Sequence, residues 1–347
     1  MSSVDSALLT RFERIAAQAL ALLIDPFVQF LFRDSLIWWP FLVTAFAVAL
    51  TVFWIGHGRT RAALGEFRRR FLSRAIWAHR SAQADYAYYL VNAIVHPLLV
   101  APLIVSGAAI GAWIAAALRT LLGPLDAPLL GQGAARLLYT VLFYLAYDFG
   151  RFVAHCLLHD VPVLWQFHKV HHSAEVLTPL TNFRAHPVEL FLMAIVPSAF
   201  TGLVTGAVWY ISAGEVGFFT FLGLHVGILA FNAIGNLRHW HVWISFGPTL
   251  NRWIISPAHH QLHHSREPRH FGKNRGFELA LWDRWFGTLY VPREEEEFRL
   301  GLGDGTDGAW HRVGRMYFWP FRHALALLGL GRPPGQRVPA PSDARHS

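Results

Sequence analysis

The 347-residue sequence predicts an all-α fold, a multi-pass transmembrane helical bundle with a histidine-rich metal site at its cytoplasmic face. Three observations predict it. Hydrophobic residues make up 54% of the chain and charged residues only 15%, where an ordinary soluble domain carries roughly 25% charged residues. The apolar residues gather into long uncharged runs. Of the 20 histidines, 14 lie between His155 and His270. This composition excludes a disordered chain. The single cysteine, Cys156, excludes a disulfide framework, a thiolate zinc finger and an iron–sulfur cluster held by this chain alone.

From the N-terminus, Ala7 to Phe32 is apolar but carries Arg11, Glu13, Arg14 and Asp25. It lacks the basic start and small-residue cleavage site of a signal peptide, so residues 1–35 read as an interfacial helix. Residues 36–136 hold the first spans and a basic loop. Leu36 to Ile55 is about 20 residues without a charge, enough at 1.5 Å per residue to cross a ~30 Å hydrocarbon core. Arg59, Arg61, Arg68, Arg69, Arg70, Arg74 and Arg80 follow, as the positive-inside rule expects of a cytoplasmic loop. Leu90 to Leu118 is a second charge-free run containing Pro97 and Pro102. It reads as one kinked helix, or as a helix preceded by a re-entrant piece.

Residues 137–292 contain the histidine-rich region. Leu137 to Tyr147 opens a third span that turns polar at Asp148, Arg151 and His155. Leu190 to Ile211 and Val216 to Gly235, joined by Ser212 to Glu215, read as a transmembrane hairpin. With the arginine-rich loop cytoplasmic, this parity puts His155, His159 and everything from His239 onward on the cytoplasmic side. Residues 293–347 form a tail. It comprises the acidic run Glu294 to Glu297, a Gly-rich stretch, an interfacial helix over Tyr317 to Leu330 and a disordered Pro/Arg-rich end from Gly331. The net charge of +8 does not indicate nucleic-acid binding, because the basic residues form no long stripe interleaved with exposed aromatics. Lysine is confined to Lys169 and Lys273 while arginine and alanine abound, which reads as a GC-rich bacterial coding bias; with the spans, a bacterial inner membrane is the expected location.

Three histidine clusters carry the chemistry. His155 and His159 are an i, i+4 pair on one helix face, so both imidazoles can approach one metal. His168, His171 and His172 form an i, i+3, i+4 triad, which puts three imidazoles on one side of a helix, and His260, His263 and His264 repeat it. His239 or His241 can add a ninth ligand. Imidazole suits Fe, Zn, Cu and Ni. Eight or nine donors exceed the four that zinc takes, so two metals is the economical reading. A carboxylate-bridged di-iron site needs two Glu-x-x-His motifs, and only Glu267 to His270 has that spacing. His96 and His225, alone in apolar runs, read as hydrogen-bonded polar side chains. A zinc-dependent membrane hydrolase, a haem-binding protein and a metal transporter are the competing readings. Against a transporter, the triads lie at span ends and not near mid-membrane.

These residues resemble the three histidine boxes of the fatty acid hydroxylase/sterol desaturase superfamily: His155-x3-His159, His168-x2-His171-His172 and His260-x2-His263-His264. Asp148, Trp165, Ser173, Asn182, Arg184, His186-Pro187, Glu189, Ser256-Pro257 and the segment from Ala280 to Pro292 support the likeness, which covers about Leu137 to Pro292. The resemblance implies a membrane-bound non-haem di-iron oxygenase that uses two Fe ions, O2 and two electrons to hydroxylate or desaturate an unactivated C–H bond of a lipid. It implies His155, His159, His168, His171, His172, His260, His263 and His264 as ligands, with His239 and then His241 as additions. It also implies Asp148, Asn182, Arg184 and Glu189 as residues that orient imidazoles. No cytochrome-b5-like His-Pro-Gly-Gly motif is present, so a separate ferredoxin, cytochrome or reductase is expected to supply electrons.

Overall fold

Apolar runs in a membrane must satisfy their backbone groups internally, and helices do so. The computed structural model is accordingly mostly helical; it describes residues 3–331. The Pro/Arg-rich end beyond Gly331, expected to be disordered, lies outside the described residues.

Helix α1 (Ser3–Val28) is followed by α2 (Trp39–Gly56). The arginine-rich stretch folds into α3 (Arg61–Phe71) and the single turn α4 (Arg74–Trp77). Next come α5 (Arg80–Val95), α6 (Gly107–Leu122), α7 (Gln132–Asp160), α8 (Pro162–His172) and α9 (Pro187–Ile211). The remainder is shorter: α10 (Val226–Gly235), α11 (Gly247–Leu250), α12 (Pro257–His263), α13 (Leu281–Phe286) and α14 (Val313–Leu327). Four stretches are long and apolar enough to cross a membrane: Trp39–Gly56, Arg80–Leu122, Gln132–Asp160 and Pro187–Ile211.

The fifth expected span is corrected. Val216 to Gly235 is not one helix. A two-stranded antiparallel pair, β1 (Thr220–Phe221) with β2 (Leu224–His225), occupies its middle, and only ten residues of it are helical, in α10. The turn places Leu222 and Gly223 at φ +53° and +78°, backbone that a helix cannot use. The chain returns toward the histidines beside α7, where the Phe219 amide and His225 Nε2 donate to Thr140 Oγ1 and the Thr140 carbonyl. His225 also caps α10 by accepting from the Gly227 amide. Apolar composition alone could not separate this irregular return from a span.

The run from Leu90 to Leu118 is interrupted, as its prolines led us to expect. A π turn (His96–Val100) and a 3-10 turn (Ala101–Leu103) separate α5 from α6. Beyond the break, α6 lies against α9 through two small-residue pairs, Gly107/Gly111 and Gly202/Gly206. Without side chains there, the backbones approach closely, the packing that small-xxx-small spacing permits in a bilayer. A Cβ on Gly111 would strike Thr205, and one on Gly206 would strike Ile114.

Helix α7 has 29 residues, about 43 Å at 1.5 Å per residue, so it outruns a ~30 Å hydrocarbon core. Its last turns carry His155 and His159. At the same end lies the arginine-rich stretch. Arg70 pairs with Glu295 at 3.7 Å, Ser81 Oγ accepts from the Glu175 amide at 3.1 Å, and Ile76 packs with Ala82 and Val176. Basic segment and histidine boxes therefore share one end of the bundle.

Replacing Gly206 with Val is expected to lower the thermal midpoint of the detergent-solubilised protein, by the ~1–3 kcal/mol typical of overpacking. Ala at Gly133, where a Cβ meets nothing within 4 Å, is expected to leave it unchanged or slightly raised. Equal melting of the two variants would contradict the α6–α9 contact.

Candidate metal centre

The box spacing becomes geometry at the helix ends. On a helix, residues i and i+4 differ in direction by about 40°, whereas i+3 and i+4 diverge by about 100°. Each triad therefore splits. His168 and His172 turn one way and His171 the other; His260 and His264 turn one way and His263 the other. The result is two groups, His155, His159, His168, His172 and His263 in one, and His171, His239, His260 and His264 in the second. Within each group the candidate ligand atoms all lie within 4.8 Å of one another. The groups adjoin, with the His172 and His264 rings stacked at 4.7 Å.

In every close pair the facing atoms are Nε2. In the first group, His155 and His168 approach to 3.1 Å, and His159 lies 3.2 Å from both His155 and His263. In the second, His260 lies 3.0 Å from His239 and 3.1 Å from His264, and His239 lies 3.3 Å from His171. Metal–imidazole bonds of about 2.0–2.1 Å with angles near 90–110° separate neighbouring nitrogens by about 2.9–3.4 Å. The donor set thus fits a metal ion in each group. Five imidazoles also exceed the four of a tetrahedral zinc site.

Outer nitrogens set the tautomers. His155 Nδ1 donates to the Arg275 carbonyl at 2.7 Å, and His263 Nδ1 to the Lys273 carbonyl at 2.8 Å. A carbonyl only accepts, so the proton sits on Nδ1 and the Nε2 lone pair is left for a metal. His171 Nδ1 donates more weakly to the Arg184 carbonyl, at 3.3 Å. Glu189 Oε1 lies 3.0 Å from His168 Nδ1, at contact distance but off the direction of a good hydrogen bond. Nδ1 of His239, His260 and His264 is buried with no partner. Burial pushes the imidazoles down, His168 and His263 to about 3 and His171 to about 4. They are neutral at physiological pH, the form that coordinates.

The four residues expected to orient imidazoles separate on contact. Of these, only Glu189 reaches a box histidine with its side chain. Arg184 does so through its carbonyl, while its guanidinium is a buried strut. It pairs with Asp85 at 2.7 Å and donates to the Val170 and Trp310 carbonyls and to Ser173 Oγ, tying α5, α8 and the C-terminal segment together. Asp148 touches no box histidine. It accepts from the Glu278 and Leu279 amides and from Trp282 Nε1, and so anchors the segment that follows Arg275. Asn182 bonds only locally, to the Pro179 carbonyl. His241 is corrected. The structure does not bring it to either group, because its Nε2 accepts from the Leu177 amide. His239 and His241 flank an extended Trp240, which sends the second imidazole away from the first.

Asn274 and Asp283 escaped the sequence reading. Asn274 sits at φ +55°, left-handed backbone that asparagine tolerates better than most residues. That turn lets the carbonyls on either side of it, from Lys273 and Arg275, serve His263 and His155. Asp283 clamps the same loop by accepting from the Arg275 and Gly276 amides. Main-chain acceptors leave no mark in a sequence. The acidic Asp283 inside an aromatic run was the one available signal.

Residues 140–288 match the family model described as fatty acid hydroxylase. The chain carries a domain of the fatty acid hydroxylase/sterol desaturase superfamily. It is 28% identical over 170 residues to an alkylglycerol monooxygenase of Danio rerio, covering 49% of this chain and 34% of that protein. It is 30% identical over 156 residues to the ornithine lipid hydroxylase OlsE of Rhizobium tropici, covering 45% of this chain and 43% of that protein. A Delta(7)-sterol 5(6)-desaturase of Eremothecium gossypii is 28% identical over 165 residues, 47% of this chain and 41% of that protein. The matches thus span well under half the length of these curated relatives. No solved structure matches the chain. In this fatty acid hydroxylase domain the matched region includes both histidine groups.

Substituting Ala for His171 or for His263 is expected to remove about one bound metal ion per chain each. Ala at His241 or His96 is expected to remove none. Metal analysis of the purified variants checks this, and full retention in both box variants would contradict the grouping.

Proposed function

We propose that this protein is a membrane-bound non-haem di-iron oxygenase that hydroxylates or desaturates an unactivated C–H bond of a lipid. One observation carries the reading: nine Nε2 atoms converge in two adjoining buried groups, with no carboxylate among the converging donors. All three relatives reported above bear names of lipid oxidations, and four stretches are able to cross a membrane. The balance is RH + O2 + 2e⁻ + 2H⁺ giving ROH + H2O for hydroxylation. For desaturation, a second hydrogen is removed and two waters form. The electrons come from a separate ferredoxin, cytochrome or reductase, and the histidine face is proposed to be cytoplasmic, in a bacterial inner membrane.

The residues proposed to hold the two irons are the five of the first group and the four of the second. Bound iron supplies O2 activation and the one-electron chemistry that cleaving a strong C–H bond requires. The protein's own part is orientation and shielding. The Arg275 and Lys273 carbonyls hold His155 and His263 in one tautomer and one ring direction. Glu189 brings a carboxylate against an otherwise neutral imidazole set. Burial of His155, His168, His171, His172, His239, His260, His263 and His264 excludes water from the ligands, which limits side reactions. His159 alone of the nine is only partly buried, so access is from its side.

Protein purified from iron-replete cells, reduced and exposed to ¹⁸O2 with a lipid extract of its host, is expected to yield either an ¹⁸O-labelled alcohol or an alkene by mass spectrometry. Oxygen consumption should accompany either product. Stoichiometric zinc with no O2-dependent product would overturn the reading.

A further inference from the structure

The first histidine group opens on one side. A cavity of about 450 Å³ is floored by His159, His172 and His263, within the size range of small-molecule sites. Its walls are apolar at Trp165, Phe271 and Leu302. Trp165 covers two ligands, its ring 5.2 Å from that of His159 and 5.4 Å from that of His172. Trp165, Lys169 and His172 stand at i, i+4 and i+7 on α8, so wall, charge and ligand belong to one helix face.

The rim is cationic. Lys169, Arg266 and Arg275 line the cavity against a single acid, Asp304. Arg275 is held by two short bonds to Asp160, at 2.6 and 2.7 Å. The other two cations are held loosely, Lys169 to Asp304 at 3.7 Å and Arg266 to Asp307 at 3.6 Å. Those separations exceed a direct hydrogen bond, so their N–H groups remain available to an oxyanion. Phe271, which lines the cavity, is exposed. A cationic rim and apolar walls that end at an exposed aromatic ring match an amphiphile.

We propose that this cavity is the substrate site, that Lys169 and Arg266 bind the phosphate-like oxyanion head of an amphiphile, and that the carbon presented to the histidines lies within a few bonds of that head. This rests on the oxygenase reading and deepens it. The exposed apolar residue of the lining is Phe271, so the tail leaves over it. Trp165 is a positioning residue that forms the wall beside His159 and His172.

Photolabelling the full chain in detergent micelles tests this without metal turnover. The probe is a medium-chain alkyl phosphate carrying a diazirine near its head, compared with the matching alcohol and with inorganic phosphate as competitor. Labels are expected on Trp165, Phe271 and Leu302, with the alcohol labelling about tenfold less, the worth of one charge-assisted hydrogen bond. Ala at both Lys169 and Arg266 is expected to cause a similar loss. Leu302→Trp should block labelling while metal content stays at the wild-type level.

Equal labelling by the alcohol, labels confined to α6 and α9, or indifference to all three substitutions would overturn the proposal. Displacement by equimolar inorganic phosphate would overturn it too, by showing a free-phosphate site. If labelling behaves as expected but no O2-dependent product forms, the oxygenase reading fails and the amphiphile site stands.

Discussion

Nine imidazoles aim their Nε2 atoms into two small volumes, with facing nitrogens 3.0–3.3 Å apart. Wherever two of these nitrogens both present lone pairs they repel one another, and burial denies them water as an alternative partner. A metal cation at each focus removes that conflict. The arrangement therefore makes sense as a holo structure, and the surrounding fold can be understood as the means of holding nine rings in place.

The means differ by depth. Within the spans, glycine pairs bring α6 and α9 together, and α7 extends past the apolar region to deliver His155 and His159. At the histidine end the ties are polar and come from distant parts of the sequence. Arg184 joins Ser81, Asp85, Val170, Ser173 and Trp310 through a single buried guanidinium. Asp148 and Asp283 fix the loop whose carbonyls turn His155 and His263. Removing one partner of such a buried pair typically costs about 3–5 kcal/mol, because the remaining charge is left without compensation. The geometry of the ligands thus depends on side chains that do not themselves touch the ligands.

Much of this is legible in the sequence, and the reasons are physical. Uncharged runs of span length, the i, i+4 pair and the twice-repeated triad each express a helical period, and a helical period is local. The triad spacing suggested three imidazoles on one side of a helix, and the splitting of each triad between two groups came only with the structure. What was not legible depends on tertiary placement. The Lys273 and Arg275 carbonyls carry no side-chain signature. Arg184 meets His171 through its main-chain carbonyl, while its guanidinium, the part the sequence shows, serves as a strut. His241 sits two residues from His239 but across an extended Trp240, so proximity in sequence did not become proximity in space. The stretch from Val216 to Gly235 is as apolar as a span, but its return is made by a β turn and a ten-residue helix.

The central claim is that the two histidine groups are two metal sites of unequal ligand number. Anomalous diffraction at the iron absorption edge, from crystals of protein purified from iron-replete cells, tests it most directly. The account predicts two anomalous peaks per chain, one inside the group of His155, His159, His168, His172 and His263 and one inside the group of His171, His239, His260 and His264. A single peak per chain, or a peak away from these nitrogens, would contradict it.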